Sequence, residues 1–265
     1  MREPFAIGFY PMNKKDLENI LKKLVNKRAR KVKAVAAIVP HAGYLYSGKV
    51  AGKVYSSIST SNKKFLIACP NHTGLGEKIA LSMQDWLTPL GIVKVNKEFA
   101  NKLPVDENAH RYEHSLEVQL PFLQFIFKNF EIVPLCLSHL EFEEIEELAE
   151  ILAKKDFFYI ASSDFTHFGP NYGYMPFNFK PEKNVERVKK LDMKAIKLIE
   201  KLNVKKFYEL VLKENLTICG YIPITLILLI AKKLGAKKGK LIAYSTSFEV
   251  SRDLSFVSYA GILIY

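Results

Sequence analysis

Four short apolar runs constrain this chain more than any other feature: 33–39 (KAVAAIV), 64–69 (KFLIAC), 131–137 (EIVPLCL) and 157–162 (FFYIAS). They are rich in β-branched and aromatic residues and do not alternate with polar ones. That is the pattern of strands buried on both faces. Helical patterns lie between or after several of them, over 48–58, 113–127 and 142–154, with others near 185–214 and 221–234. An amphipathic helix over 13–28, N-capped by Asn13, precedes the first run. Runs 240–245 and 255–264 close the chain as strands, and 78–83 and 90–95 read as a further pair. The alternation predicts an α/β fold with a central mixed, mostly parallel sheet flanked by helices. No composition shift marks a linker, so residues 1–265 are expected to form a single domain. At 49% hydrophobic residues the chain can bury a sizeable core.

Three of the four runs end in a polar cluster. The first passes into Pro40-His41-Ala42-Gly43-Tyr44 and the second into Pro70-Asn71-His72-Thr73-Gly74. The last passes into Ser163-Asp164-Phe165-Thr166-His167-Phe168-Gly169. In open α/β sheets ligands bind beyond the carboxyl ends of strands. A lone histidine after a strand is more often structural than functional. Three strands each delivering one to the same edge predict a cleft.

His41 and His72 are therefore candidate metal ligands, imidazole being the commonest such group near neutral pH. Cys219, in Thr217-Ile218-Cys219-Gly220-Tyr221-Ile222-Pro223, is expected just before a helix N-terminus, where the dipole favours thiolate. Cys69 and Cys136 fall inside apolar strands and read as small buried hydrophobes. Asp164 and His167, three apart, suggest a carboxylate that fixes an imidazole tautomer. The segment 110–121 (HRYEHSLEVQLP) is dense in polar groups. His114 and Glu117 are expected on one helix face, with Pro121 kinking that helix. It does not contain the HExxH zinc motif. His139 has no polar cluster around it and reads as structural.

The remaining composition excludes more than it assigns. Three widely spaced cysteines suggest no disulfide framework and favour a cytoplasmic, reducing setting. No run is long enough to span a bilayer, and residues 222–231 contain Pro223. The net charge of +12 is concentrated in clusters such as 22–33 and 237–240. These read as solvated faces. No recognition motif accompanies them, so nucleic acid is not an expected partner.

In order and spacing, six motifs in this chain resemble the Memo family, itself similar in fold to LigB-type class III extradiol dioxygenases. They are VPHAGYLYSG (39–48), CPNHTG (69–74), EHSLEVQLPFL (113–123), SSDFTHFG (162–169), TICG (217–220) and SYAG (258–261), preceded by Phe9-Tyr10-Pro11. The resemblance covers nearly the whole chain. It implies a LigB-like sheet and a cleft metal site held by His41, His72 and Cys219. It also implies catalytic or outer positions at Asp164, His167 and His114, with Tyr44 and Tyr46 lining the cleft. The dioxygenase relatives hold ferrous iron with two histidines and a carboxylate. Cys219 in the third place shifts the expected metal toward copper or zinc, with iron still compatible. The function so implied is a metal-dependent redox enzyme acting on a small molecule. The alternative is a module that grips a peptide or anionic group without turnover. Prokaryotic members travel with a radical-SAM protein and an AMMECR-type protein, which the resemblance implies as pathway partners.

Overall fold

The computed structural model describes all residues, Met1–Tyr265. Its strands are β1 (Val32–Lys33), β2 (Ala36–Val39), β3 (Ile58–Ser59), β4 (Lys64–Pro70), β5 (Ile79–Leu81) and β6 (Trp86–Thr88), then β7 (Gly91–Val95), β8 (Glu131–Leu137), β9 (Phe157–Ser162), β10 (His167–Phe168), β11 (Gly239–Thr246) and β12 (Phe256–Ile264). Ten of them form one sheet, ordered β10-β12-β2-β9-β4-β8-β7-β6, with β11 on β12 and β5 on β8. The stretch β2-β9-β4-β8-β7 is parallel. Antiparallel pairings flank it on both sides.

The uninterrupted apolar runs are explained by packing on both faces. Ala36, Ile38, Leu66 and Ala68 face one core, and the residues between them, Ala37, Val39, Phe65 and Ile67, face the other. Helices Phe142–Leu152, Pro181–Glu200, Val204–Lys213 and Tyr221–Lys233 supply side chains to the first core. Helices Lys14–Leu24, Gly48–Ser57 and Leu120–Ile126 supply them to the second. The N-cap at Asn13 is formed: Oδ1 accepts from the backbone N–H groups of Lys15 and Asp16. No helix is long and apolar enough to cross a membrane.

One expected helix differs. Residues 113–127 do not form a continuous helix. A turn leads into a 3-10 turn at Glu117–Gln119, and the helix starts at Leu120. Pro121 stands in its first turn, where its missing N–H costs nothing, so it starts the helix and does not kink it. The irregular backbone turns Glu117 away from the cleft into a buried ion pair with Arg2 at 2.6 Å. The carboxylate also accepts from the N–H groups of Phe5 and Ala6 and from the Tyr10 hydroxyl. Arg2 spends its other donors on the carbonyls of His110 and Glu113 and stacks 3.9 Å over Trp86. The N-terminal segment is thereby locked beside the 113–119 turn.

Breaking a buried pair while leaving the other charge behind is costly. Arg2→Met is predicted to lower unfolding stability by about 3–5 kcal/mol, read from urea denaturation. A loss below about 1 kcal/mol would show that Glu117 is satisfied by its neutral donors alone.

Candidate metal centre

Because β2, β9 and β4 are parallel neighbours, their carboxyl ends share one edge, and the ladder continues past them. The Ser163 N–H donates to the Val39 carbonyl and the Asn71 N–H to that of Leu137. His41 leaves the end of β2 and His72 the end of β4. Their rings lie 5.2 Å apart, edge to face. Cys219 reaches the same place from the turn before helix Tyr221–Lys233. Its Sγ is 3.3 Å from His41 Nε2. A ligand atom from each of His41, His72 and Cys219 lies within 4.8 Å of the others. Gly220 makes the approach possible. A Cβ there would meet Ser163 Cβ at 2.5 Å and the Ser162 carbonyl at 2.6 Å, and its N–H donates to Ser163 Oγ.

Hydrogen bonds fix both histidine tautomers. The Gln119 amide is oriented by the Tyr55 hydroxyl on Oε1, so its Nε2 donates to the Pro40 carbonyl and to Ser162 Oγ. Ser162 spends its own hydrogen on the Ser115 carbonyl. Its oxygen can therefore only accept from His41 Nδ1, 3.0 Å away. His72 Nδ1 lies 3.0 Å from the buried Glu113 carboxylate, which also accepts from the His72 and Ser115 backbone N–H groups. In both rings Nδ1 carries the proton to an acceptor, leaving Nε2 as the donor atom for a cation. This is the outer support that metal-binding histidines require.

Burial pushes the His41 imidazole well below its usual range, helped by the neighbouring histidines, so it is neutral. Burial opposes the charged form of Glu113 as well. The His72 and Ser115 hydrogen bonds outweigh it and hold the carboxyl near 2. His72 is also desolvated, yet hydrogen bonds to Cys219 and Glu113 push it up to about 11. Cys219 departs from expectation: its thiol is raised. Enclosure dominates, Asp164 adds to it, and His72 only partly offsets it. A helix N-terminus contributes at most about 1–2 kcal/mol, which this desolvation overrides. Without a cation His72 therefore carries a second proton, on Nε2, and Cys219 its thiol proton, and a metal ion must displace both.

Asp164 does not orient His167. Its Oδ1 accepts from the His41 and Ala42 N–H groups and so fixes the turn that carries His41. His167 begins β10, paired to β12, and its Nδ1 faces the carbonyls of Phe165 and Thr217, both at 3.0 Å. The residues three apart belong to different structural units, which their spacing could not show. The loop between them is held from beneath by buried Asp192, which accepts from Thr166, Ser258 and Tyr244 hydroxyls, each at 2.6 Å.

His114 stacks on His72 and against Phe9, and burial brings it down to about 4. Both His114 and His167 border a cleft of about 820 Å³ together with His41, His72, Asp164 and Tyr46. Tyr44, expected there too, is buried in the second core with its hydroxyl on the Val118 carbonyl. His139 lies at the surface against Tyr221 and Glu141. Glu113, Ser162, Gln119, Arg2 and Asp192 had no assigned role in the sequence. Glu113 and Ser162 stood inside quoted motifs, whereas nothing near Arg2 or Asp192 pointed to the cleft.

A family model described as Memo-like protein matches residues 2–263. A MEMO1 family protein from Methanosarcina barkeri is 40% identical over the whole of both chains. Another from Archaeoglobus fulgidus is 40% identical over 99% of each. A third, from Aquifex aeolicus, is 37% identical over 99% of this chain and 98% of its own.

Two imidazole nitrogens and a thiol at this separation fit a borderline-soft divalent ion once their protons are displaced. Zinc titrated by calorimetry is predicted to bind with affinity that rises between about pH 6 and 8, because protons leave the His72–Cys219 pair. Glu113→Gln and Ser162→Ala should each weaken binding by about 10–100-fold. Single alanine replacement of His41, His72 or Cys219 should remove most of it. A pH-independent affinity, or undiminished binding by Cys219→Ala, would contradict the ligand set.

Proposed function

The chain belongs to the Memo family, and from that membership and the chemistry of its cleft we propose that it is a metal-dependent redox enzyme acting on a small organic substrate. His41, His72 and Cys219 are the proposed ligands, and the whole chain is the functional unit. One observation carries the reading: two imidazoles with Nδ1 already engaged converge with a thiol at the edge of an open cleft. Iron or copper is the proposed ion. Zinc suits the same donors but has no redox chemistry. When bound, a redox metal supplies one-electron transfer and polarises what enters its open positions.

The remaining steps belong to the protein. The contacts of His167 Nδ1 with two carbonyls leave its Nε2 as an acceptor at the cleft wall, suited to take a proton from a substrate hydroxyl. His114, neutral near pH 7, is proposed to hydrogen-bond the substrate and to press His72 into place. Asp164 acts through the His41 turn as a positioning residue. The three free cysteines suit a reducing cytoplasm, the proposed location. The proposed pathway partners are a radical-SAM protein and an AMMECR-type protein.

Oxygen uptake by anaerobically loaded protein, screened with phenols and catechols, tests this reading. His167→Ala should retain metal and lose uptake by about 10²–10⁴-fold, the usual contribution of a general base. Substrate binding by metal-free protein with no uptake under any loading would favour a binding module.

A further inference from the structure

None of the chain's 39 lysines and arginines lines the cleft. For a protein of net charge +12 this is a specific exclusion. The charged carboxyl side chains there are Asp164 and Asp253. Asp164 is buried and already accepts from two backbone N–H groups. Asp253 is exposed, in the loop between helix Phe248–Ser251 and β12, and its carboxylate has neither a hydrogen-bond nor an ion-pair partner. The adjacent Arg252 does not neutralise it. Its backbone is left-handed (φ 60°), and its guanidinium lies 5.3 Å over the Phe248 ring. Phe9, Tyr46, Tyr172 and Tyr259 bring aromatic side chains to a wall that otherwise holds mainly histidines and serines, with Leu254 exposed at the rim.

We propose that the cleft takes a ligand with an aromatic or apolar body and a positively charged amine, the amine paired with Asp253. This rests on the reading of the cleft as the substrate site and names the class of substrate. Aromatic faces favour a cation as well as a flat ring, through their quadrupoles. The basic patches elsewhere do not reverse the preference, because charges are screened over about 10 Å at ordinary ionic strength. The metal centre does not draw anions strongly either: the Cys219 thiolate and the Glu113 carboxylate together offset the charge of a divalent ion. A cleft built to grip an anionic group would be expected to carry an ammonium or guanidinium group, and this one has none; His72, its one cationic side chain, is paired with Glu113 in the metal-free protein and is a proposed ligand when metal is bound.

The test is calorimetric binding to zinc-loaded protein, which is redox-silent, of two probes with one ring and opposite charge: tyramine and 4-hydroxyphenylacetate. Tyramine should bind tighter by about tenfold, and the gap should narrow at high salt. Asp253→Asn should cost tyramine about tenfold without weakening the binding of 4-hydroxyphenylacetate or zinc. Equal binding of the two probes, binding of neither, or an unchanged tyramine affinity in Asp253→Asn would overturn the proposal. Repeating the pair on metal-free His41→Ala separates the two readings. Preference for the amine that persists there supports the Asp253 assignment even if the wild-type protein fails to hold metal.

Discussion

The parallel pairing of β2, β9 and β4 is the constraint on which the rest depends. It sends three chain ends to one edge, and a one-residue slip in any of them would exchange its two buried faces. Apolar packing on both sides forbids that slip, since Ala37 and Val39 fill one core while Ala36 and Ile38 fill the other. The hydrophobic register thus brings the chain at His41 and His72 to one edge, and loop contacts then fix them there, Asp164 on the His41 turn and Glu113 on His72. Ser162, the last residue of the middle strand, then stands where its hydroxyl can receive His41 Nδ1. The same packing that stabilises the sheet also orients His41, a candidate ligand.

Electrostatics at this edge balance opposing demands. Burial disfavours the charged forms of Glu113, His72 and the Cys219 thiol alike. They are tolerable together because each supplies what the other lacks: a proton donor for the carboxylate, an acceptor for the imidazole. A partly buried constellation of this kind is a poor way to stabilise a fold and is chemically suited to hold a cation. The Arg2–Glu117 pair is its structural counterpart, with every oxygen and most guanidinium donors matched, and it anchors the segment that brings Phe9 against His114.

The α/β class and the strand-end clusters were legible because two-face burial and strand-end punctuation leave local marks. KFLIAC followed by Pro70-Asn71-His72 is read correctly from nine residues. Pairings between distant segments leave no such mark. Asp164 and His167 looked like a couple by spacing, yet Asp164 serves a residue 123 positions earlier and His167 a carbonyl 50 positions later. The Cys219 thiol misled in a different way. Its place before a helix was visible, but its enclosure by the ends of other elements was not, and enclosure decides its ionisation. Tyr44 sat in a cleft motif and went to the core because its hydroxyl found the Val118 carbonyl.

A cation held by His41, His72 and Cys219 would bind through one sulfur and two imidazole nitrogens. X-ray absorption spectroscopy of the zinc-loaded protein tests this most directly. It should show one sulfur neighbour at about 2.3 Å and nitrogen neighbours at about 2.0–2.1 Å with imidazole scattering. The sulfur shell should vanish in Cys219→Ser. A wild-type spectrum with no sulfur neighbour, or one unchanged by Cys219→Ser, would contradict it.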